Sequence, residues 1–470
     1  MLIYFSAKNF RSIRDEIALD MRPAPRLRRL PHHVNSVKSL SSQETKVLRS
    51  AVIYGANASG KSNIVKAIDQ MKKLVLGKER NGDRIETQPF KLDESVDENT
   101  EYYIEFISNG AIFGYGISIN KFRVENEYLH CLEPDFEWKV FERQYQPISN
   151  DYEVTSDLHM FISDEDVDEA NNKDGSVVTE KNYNEFIMLI RYTEDTKLFI
   201  TESADKKLHH KLKTLATQVY MVHQYFRFCV RVIFPNTYYG GKFHDISKDE
   251  ISQAYKELLN KYDTGIDHIC TEYADINEVS DSLKQRAEDA LRSGQPYVAH
   301  FKGNYYRFSI DEDTDELTAN KIITCRKGKN GKRIDFELNE ESDGTSRLFD
   351  IIRPLIKPHR DVDNNATYII DEFDRSLHPN ISRDMIKTFL DNPNEGSHTQ
   401  LIVTTHESNL LDNDILRRDE IWFVQKEHDL STHLYSLNEY STRFDKDIRK
   451  AYLDGVYGGV PFMPSTYKKV

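Results

Sequence analysis

The chain has 470 residues, 39% hydrophobic and 30% charged, with 63 Lys plus Arg against 77 Asp plus Glu and a formal net charge of -14. That length suits two or three domains, or one elaborated α/β domain with an insertion, and the composition allows a large buried core. The acidic balance argues against a nucleic-acid footprint over the whole body and leaves room only for a local basic groove. Cys131, Cys229, Cys270 and Cys325 lie far apart with no Cys-x-x-Cys pair, so neither a zinc hook nor a disulfide framework is expected. The start at Met1 carries no signal-peptide pattern and no apolar run reaches membrane-spanning length, so the expected location is the cytoplasm and no membrane partner is expected.

In chain order, Met1 to Lys8 reads as a strand, and Asn9-Phe10-Arg11-Ser12 followed by Ile13, Ile17, Leu19 and Met21 reads as a turn into a second. Residues 22–45, with Pro23, Pro25, Pro31 and several arginines, read as an exposed loop rather than a regular element. Next comes Gly55-Ala56-Asn57-Ala58-Ser59-Gly60-Lys61-Ser62, which fits the phosphate-loop pattern. An apolar run (Val52, Ile53, Tyr54) precedes it and helix-spaced apolar residues (Ile64, Val65, Ile68, Met71) follow, giving the order strand, loop, helix. The glycines let successive N–H groups converge on a triphosphate at a helix N-terminus that favours anions. Lys61 is expected to reach the β- and γ-phosphates, Ser62 to ligate Mg²⁺, and Gly55, Asn57, Ser59, Gly60 and Asn63 to complete the nucleotide cradle.

A polar link, Gly77 to Glu86, leads to Gln88-Pro89-Phe90. Alternating stretches at Tyr102–Ile107, Ala111–Ile119, Phe122–Leu132 and Glu137–Arg143 then read as an antiparallel meander. An acidic surface loop is expected over Asp164–Thr179. Helix-period patterns cover Lys181–Tyr192, Ala204–Phe228, Lys248–Tyr262 and Asn277–Arg292, without the heptads of a long coiled coil. Strand patterns return at Tyr305–Ile310, Lys321–Cys325 and Arg333–Leu338, the last two joined by a cationic tip with an Asn-Gly turn signal. The expected division is therefore residues 1–150 with the phosphate loop and the meander, 151–300 as a mainly helical insertion, and 301–470 as a C-terminal part.

Ala366 to Ile370 is an apolar strand ending in Asp371-Glu372, and Leu401 to Val403 runs into Thr404-Thr405-His406. In open α/β folds the nucleotide site lies at such strand ends. Asp371 suits a water-mediated hold on Mg²⁺ and Glu372 suits deprotonation of an attacking water.

With these segments the chain resembles ABC-type ATPases of the SMC/RecF/OLD class, and more narrowly bacterial abortive-infection and phage-defence ATPases related to AbiL and to the ATPase subunit of PARIS systems. The resemblance rests on Lys8–Ser12, the phosphate loop, Gln88–Phe90, Glu341–Leu348, Asp371–Pro379, Thr404–Glu407 and Tyr452–Pro461, and is weak over 151–300. It implies an α/β fold, an ABC-ATPase head with an N-terminal antiparallel β-subdomain and a helical insertion. It also implies that Ser342, Asp343, Gly344 and Thr345 match the signature, with Asp343 in place of the usual glycine, that His406 matches the switch histidine, and that Gln88 matches the glutamine-loop residue near Mg²⁺. On this resemblance the cofactors are ATP and Mg²⁺, the catalytic residues are Glu372 and His406, and two copies sandwich the nucleotide, each lending Ser342 and Gly344 to the other's Lys61. The implied role is a sensor ATPase controlling a separately encoded effector such as a nuclease, triggered by DNA or a phage protein. The alternative is a repair ATPase that clamps DNA directly. A trailing Toprim nuclease domain after His406 is not expected, since too few residues remain.

Overall fold

The computed structural model describes residues 1–38, 44–78, 80–81, 84–133, 136–163, 172, 174–236, 249–293, 297–311, 314–356, 365–391, 397–440 and 447–461. Contacts divide the chain into two units, described separately: Met1–Val232 with His359–Asp371 and Pro393–Val470, and Ile233–Pro358 with Glu372–Asn392. The boundary after Val232 runs through the segment 151–300.

In chain order the elements are β1 (Leu2–Lys8), β2 (Ile17–Asp20), β3 (Val34–Lys38), β4 (Glu44–Leu48), β5 (Ser50–Gly55), α1 (Lys61–Val75), β6 (Arg80–Asn81), β7 (Arg84–Ile85), β8 (Thr100–Ser108), β9 (Ala111–Ile119), β10 (Val124–Glu133), β11 (Phe136–Gln146) and β12 (Asp151–Thr155). There follow α2 (Glu180–Arg191), α3 (Phe199–Asp205), α4 (Lys213–Gln224), β13 (Val230–Ile233), α5 (Asp249–Lys261), β14 (His268–Ala274), α6 (Asp281–Arg292), β15 (Tyr297–Phe301), β16 (Asn304–Ile310), β17 (Leu317–Lys327) and β18 (Arg333–Glu337). The chain closes with α7 (Asp343–Ile351), β19 (Thr367–Ile370), α8 (Pro379–Asp391), β20 (Gln400–Thr404), β21 (Ile421–Lys426), β22 (Thr432–Ser436) and α9 (Ile448–Leu453).

The first unit holds an antiparallel sheet in the order β12-β11-β10-β9-β8-β1-β2 and a six-stranded sheet in the order β13-β19-β20-β5-β21-β22. Strands β19, β20, β5 and β21 pair in parallel, and β22 returns antiparallel to β21. A parallel strand with neighbours on both sides has no wet edge, which is why β5 is an unbroken buried run. The antiparallel sheet alternates instead: Phe5, Ile104, Phe106, Tyr115 and Leu129 are buried on one face, and polar residues occupy the other. Gln400 clips the two sheets together. Fully buried, it accepts from the Leu2 N–H (2.6 Å) and donates to the Leu2 and Leu48 carbonyls (2.9 and 3.0 Å). The α/β phosphate-loop ATPase fold with an N-terminal antiparallel sheet expected from the sequence is the fold observed.

Two local expectations change. Within 22–45, residues 34–38 pair with 44–48 as an antiparallel ladder, β3 with β4, where a loop was expected. The prolines and arginines that suggest a loop stop at Pro31, and Val37, Val47 and Leu48 supply the strand pattern behind them. The helical run Ala204–Phe228 is broken, because Lys207 takes a left-handed backbone (φ 53°) between α3 and α4. The acidic loop expected from Asp164 lies largely outside the described residues.

In the second unit β14, β17, β16 and β15 form an antiparallel sheet with β18 added to β17, and α6 packs Leu283 and Ala287 against Tyr306, Phe308 and Ala319. The cationic tip is a turn between β17 and β18, with Gly331 at φ 69°. Sequence spacing gave no reason to bring the cysteines together, yet the sulfurs of Cys270 and Cys325 lie against each other between β14 and β17. Register explains it: His268 stands opposite Cys325, which puts Cys270 on the diagonal of the same face.

Candidate functional site

The phosphate loop joins β5 to α1 and is shaped by close backbone approach. Gly60 caps α1 at φ 109°, and a Cβ there would stand 2.0 Å from Thr432 Oγ1. A Cβ on Gly55 would stand 2.5 Å from the Val424 carbonyl oxygen. Ala58 takes a left-handed backbone (φ 59°), and Asn57 and Ala58 are exposed at the loop crest. The Lys61 ammonium, largely buried, donates to the Gly55 and Ala56 carbonyls at 2.8 and 3.1 Å, so it curls over the loop it belongs to. Ser59 Oγ is buried with no hydrogen-bond partner among the described residues, an orphan that a phosphate oxygen would satisfy.

Asp371, 3% exposed at the end of β19, accepts from Ser62 Oγ at 3.1 Å and from Thr404 Oγ1 at 2.6 Å. The strand order β19-β20-β5 makes this meeting possible, with Thr404 on the strand between the other two. A serine hydroxyl beside a carboxylate is a hard-oxygen pair of the kind Mg²⁺ takes, so these residues fit that ion. No sequence motif gives Thr404 a role. Its signal was a hydroxyl residue at a strand end just before His406. His406 itself is exposed, two residues beyond β20.

The loop is buttressed by the turn after β1. Ser12 Oγ contacts Thr432 Oγ1 (2.7 Å) and accepts from Asn63 Nδ2 (2.6 Å), while Thr432 Oγ1 donates to the Ser59 carbonyl (3.0 Å). Thr432 is a positioning residue that no sequence motif marked. Asn9, fully buried at φ 52°, accepts from the Phe90 N–H, and the Arg11 N–H donates to the Gln88 carbonyl. Gln88 is thereby held by its backbone to the same turn that steadies the phosphate loop.

Three expected site residues belong to the second unit. Ser342 is the exposed N-cap of α7, its hydroxyl accepting from the Thr345 N–H at 3.2 Å. Gly344 faces the turn at Ser376, where a Cβ would fall 2.7 Å from the Ser376 carbonyl oxygen. Glu372 takes a left-handed backbone (φ 48°), and its carbonyl accepts from Arg347 Nη2 at 3.1 Å. Arg347 also donates to the Phe234 carbonyl at 3.3 Å. Asp343, Ser346, Arg347, Arg375 and Ser376 border a cavity of about 390 Å³.

A mostly parallel sheet with a phosphate loop between strand and helix, and a carboxylate two strands away bonded to the loop serine, defines the phosphate-loop ATPase class. The chain belongs to the family described as AAA domain, putative AbiEii toxin, Type IV TA system, whose model matches residues 50–412, more than half of its length. No curated protein matches it. Among solved structures, the SMC head domain from Thermotoga maritima is similar at 14% identity and a TM-score of 0.32, over 93% of this chain and 98% of that one. No helix among the described residues is long and apolar enough to cross a membrane.

Proposed function

We propose that this chain binds and hydrolyses ATP with Mg²⁺, that two copies close on the nucleotide, and that it serves as the regulatory ATPase of an anti-phage defence system controlling a separately encoded effector. The observation that carries the ATPase reading is the Ser62–Asp371 contact beside a phosphate loop whose lysine is already curled over its own carbonyls. In this reading Lys61 neutralises phosphate charge, Ser62 and Asp371 hold Mg²⁺ with Gln88 nearby, Glu372 takes the proton of the attacking water, and His406 responds to the terminal phosphate. Bound Mg²⁺ supplies charge stabilisation at the phosphates.

The two-copy reading rests on Ser342 and Gly344 at the exposed start of α7, where α7 offers N–H groups and a positive dipole end to a partner's nucleotide. A ligand bound better by the closed pair than by separate copies shifts the population toward the pair. The defence reading rests on the family description, which names a toxin and a toxin–antitoxin system, and on the sequence resemblance.

Three measurements test it. Lys61→Ala should abolish ATP binding, and Glu372→Gln should keep binding, lose turnover and accumulate dimers with ATP in light scattering. Co-expression with the neighbouring reading frame should yield a complex. A Glu372→Gln protein that binds ATP yet stays monomeric would sink the two-copy reading, and isolation of the chain alone in every nucleotide state would sink effector control.

A further inference from the structure

The polar face of the seven-stranded antiparallel sheet carries an open trough of about 760 Å³. Register assembles it. Ser6 of β1 stands opposite Tyr103 of β8, Tyr103 opposite Gly116 of β9, and Gly116 opposite Tyr128 of β10, so one row of the face reads serine, tyrosine, glycine, tyrosine. The glycines are required by the rings. A Cβ on Gly116 would stand 2.2 Å from the Tyr128 ring, and one on Gly114 would stand 2.6 Å from the Tyr103 hydroxyl. Tyr103 and Tyr128 therefore lie across the strand between them, stacked with centroids 6.1 Å apart. Aromatic rings covering sheet glycines can be packing alone. The charges around these rings say more.

The trough is lined by Glu16, Glu101, Glu105 and Glu125, against the single ammonium of Lys8. The phenols register that field. Tyr103 is pushed up by burial and then by Glu105, and Tyr128 by burial and then by Glu101 and Glu142. At one end the face already holds a cation of this chain. The Arg22 guanidinium sits 5.7 Å over the Tyr4 ring while bonded to Glu105 and, at 3.2 Å, to Asp20. A guanidinium over an aromatic ring with a carboxylate in reach is the arrangement that cation–π attraction and charge-assisted hydrogen bonding favour together. Arg22 fills one such place, and Arg123, 3.8 Å over the Tyr145 ring with Glu125 3.9 Å away, fills a second. Tyr103 and Tyr128 lie in the same trough with Glu125 and with Glu101, whose own partner Lys8 is no closer than 3.9 Å.

We propose that this face is a docking surface for an arginine-rich segment of a partner protein, whose guanidinium groups lie on Tyr103 and Tyr128 and pair with Glu101 and Glu125. The same charges repel a phosphate backbone, so nucleic acid is not its occupant. The proposal does not depend on the defence reading, since it uses neither the phosphate loop nor Ser342.

The test uses the full chain and a fluorescein-labelled peptide of alternating arginine and serine, read by anisotropy at low and at physiological salt. The peptide should bind, and its glutamate-for-arginine counterpart should not. Glu101→Lys/Glu125→Lys should weaken binding at least about tenfold, equivalent to ~1.4 kcal/mol, and Tyr128→Leu should weaken it several-fold with little change in salt dependence. The control Asp281→Lys/Asp315→Lys makes the same change in net charge on exposed carboxylates of the second unit and should leave affinity within about twofold. Circular dichroism checks that each variant folds, with Glu101→Gln/Glu125→Gln as the substitute if the lysine pair does not. No binding, or equal losses in the trough and control variants, would overturn the proposal by reducing it to diffuse attraction toward an acidic protein.

Discussion

Ser62 and Asp371 are 309 residues apart in sequence and 3.1 Å apart across the phosphate loop, joined by a hydrogen bond from the serine hydroxyl to a buried carboxylate. Asp371→Asn keeps the shape and removes the charge that would hold a cation. ATP binding in the presence of Mg²⁺ should fall by more than about tenfold, while binding in EDTA changes little. A titration with a fluorescent ATP analogue under both conditions decides this, and equal affinities with Mg²⁺ would exclude Asp371 from the metal site.

Gly60 tests the shape of the loop. At φ 109°, with Thr432 Oγ1 only 2.0 Å from an added Cβ, Gly60→Ala is strained and crowded at once. ATP affinity should collapse and stability drop by about 1–3 kcal/mol in urea unfolding. Adding Thr432→Ser removes the methyl part of the crowding and should recover part of the stability but little of the affinity, because the backbone strain stays.

Arg347 donates to the Glu372 carbonyl from within α7, two residues after Thr345. Arg347→Lys keeps the charge and cannot span both the Glu372 and Phe234 carbonyls. ATP binding should survive and turnover should fall about tenfold or more, in a phosphate-release assay beside a binding titration. Unchanged turnover would remove Arg347 from any positioning role.

Gln400 tests the joint between the two sheets of the first unit. Gln400→Leu leaves the buried Leu2 N–H and the Leu2 and Leu48 carbonyls without their partner. Stability should fall by roughly 3 kcal/mol, from unsatisfied buried backbone groups rather than lost volume. Urea unfolding measures it.

Lys72 donates to the Val230 carbonyl at 2.6 Å, and burial lowers its ammonium to about 8, against a partial opposing effect of Asp69. Below about pH 8 the amine is charged in both folded and unfolded chains and its contribution is flat. Between about pH 8 and 10.5 the unfolded chain binds a proton that the folded chain has lost, so this group raises stability with pH, by at most ~1.4 kcal/mol per unit. Lys72→Met should remove that rise. Denaturant curves across this window, compared with those of the parent chain, check it.

Much of the site was legible because its parts are local. Gly55 to Ser62 has fixed spacing, and the apolar runs before it and before Asp371 and Thr404 mark strands whose ends carry the chemistry. The β-meander was legible because alternation over four consecutive stretches survives without long-range information. What the sequence left open depends on register and strand order. Thr404 shares a carboxylate with Ser62 only because β20 lies between β19 and β5. Thr432 closes on Gly60 only because β22 folds back beside the loop, and Cys270 meets Cys325 only because β14 and β17 pair as they do. One chain position names a side chain and its chemistry. Which distant partner that side chain meets is set by how strands pair, a property of whole sheets that no short stretch encodes.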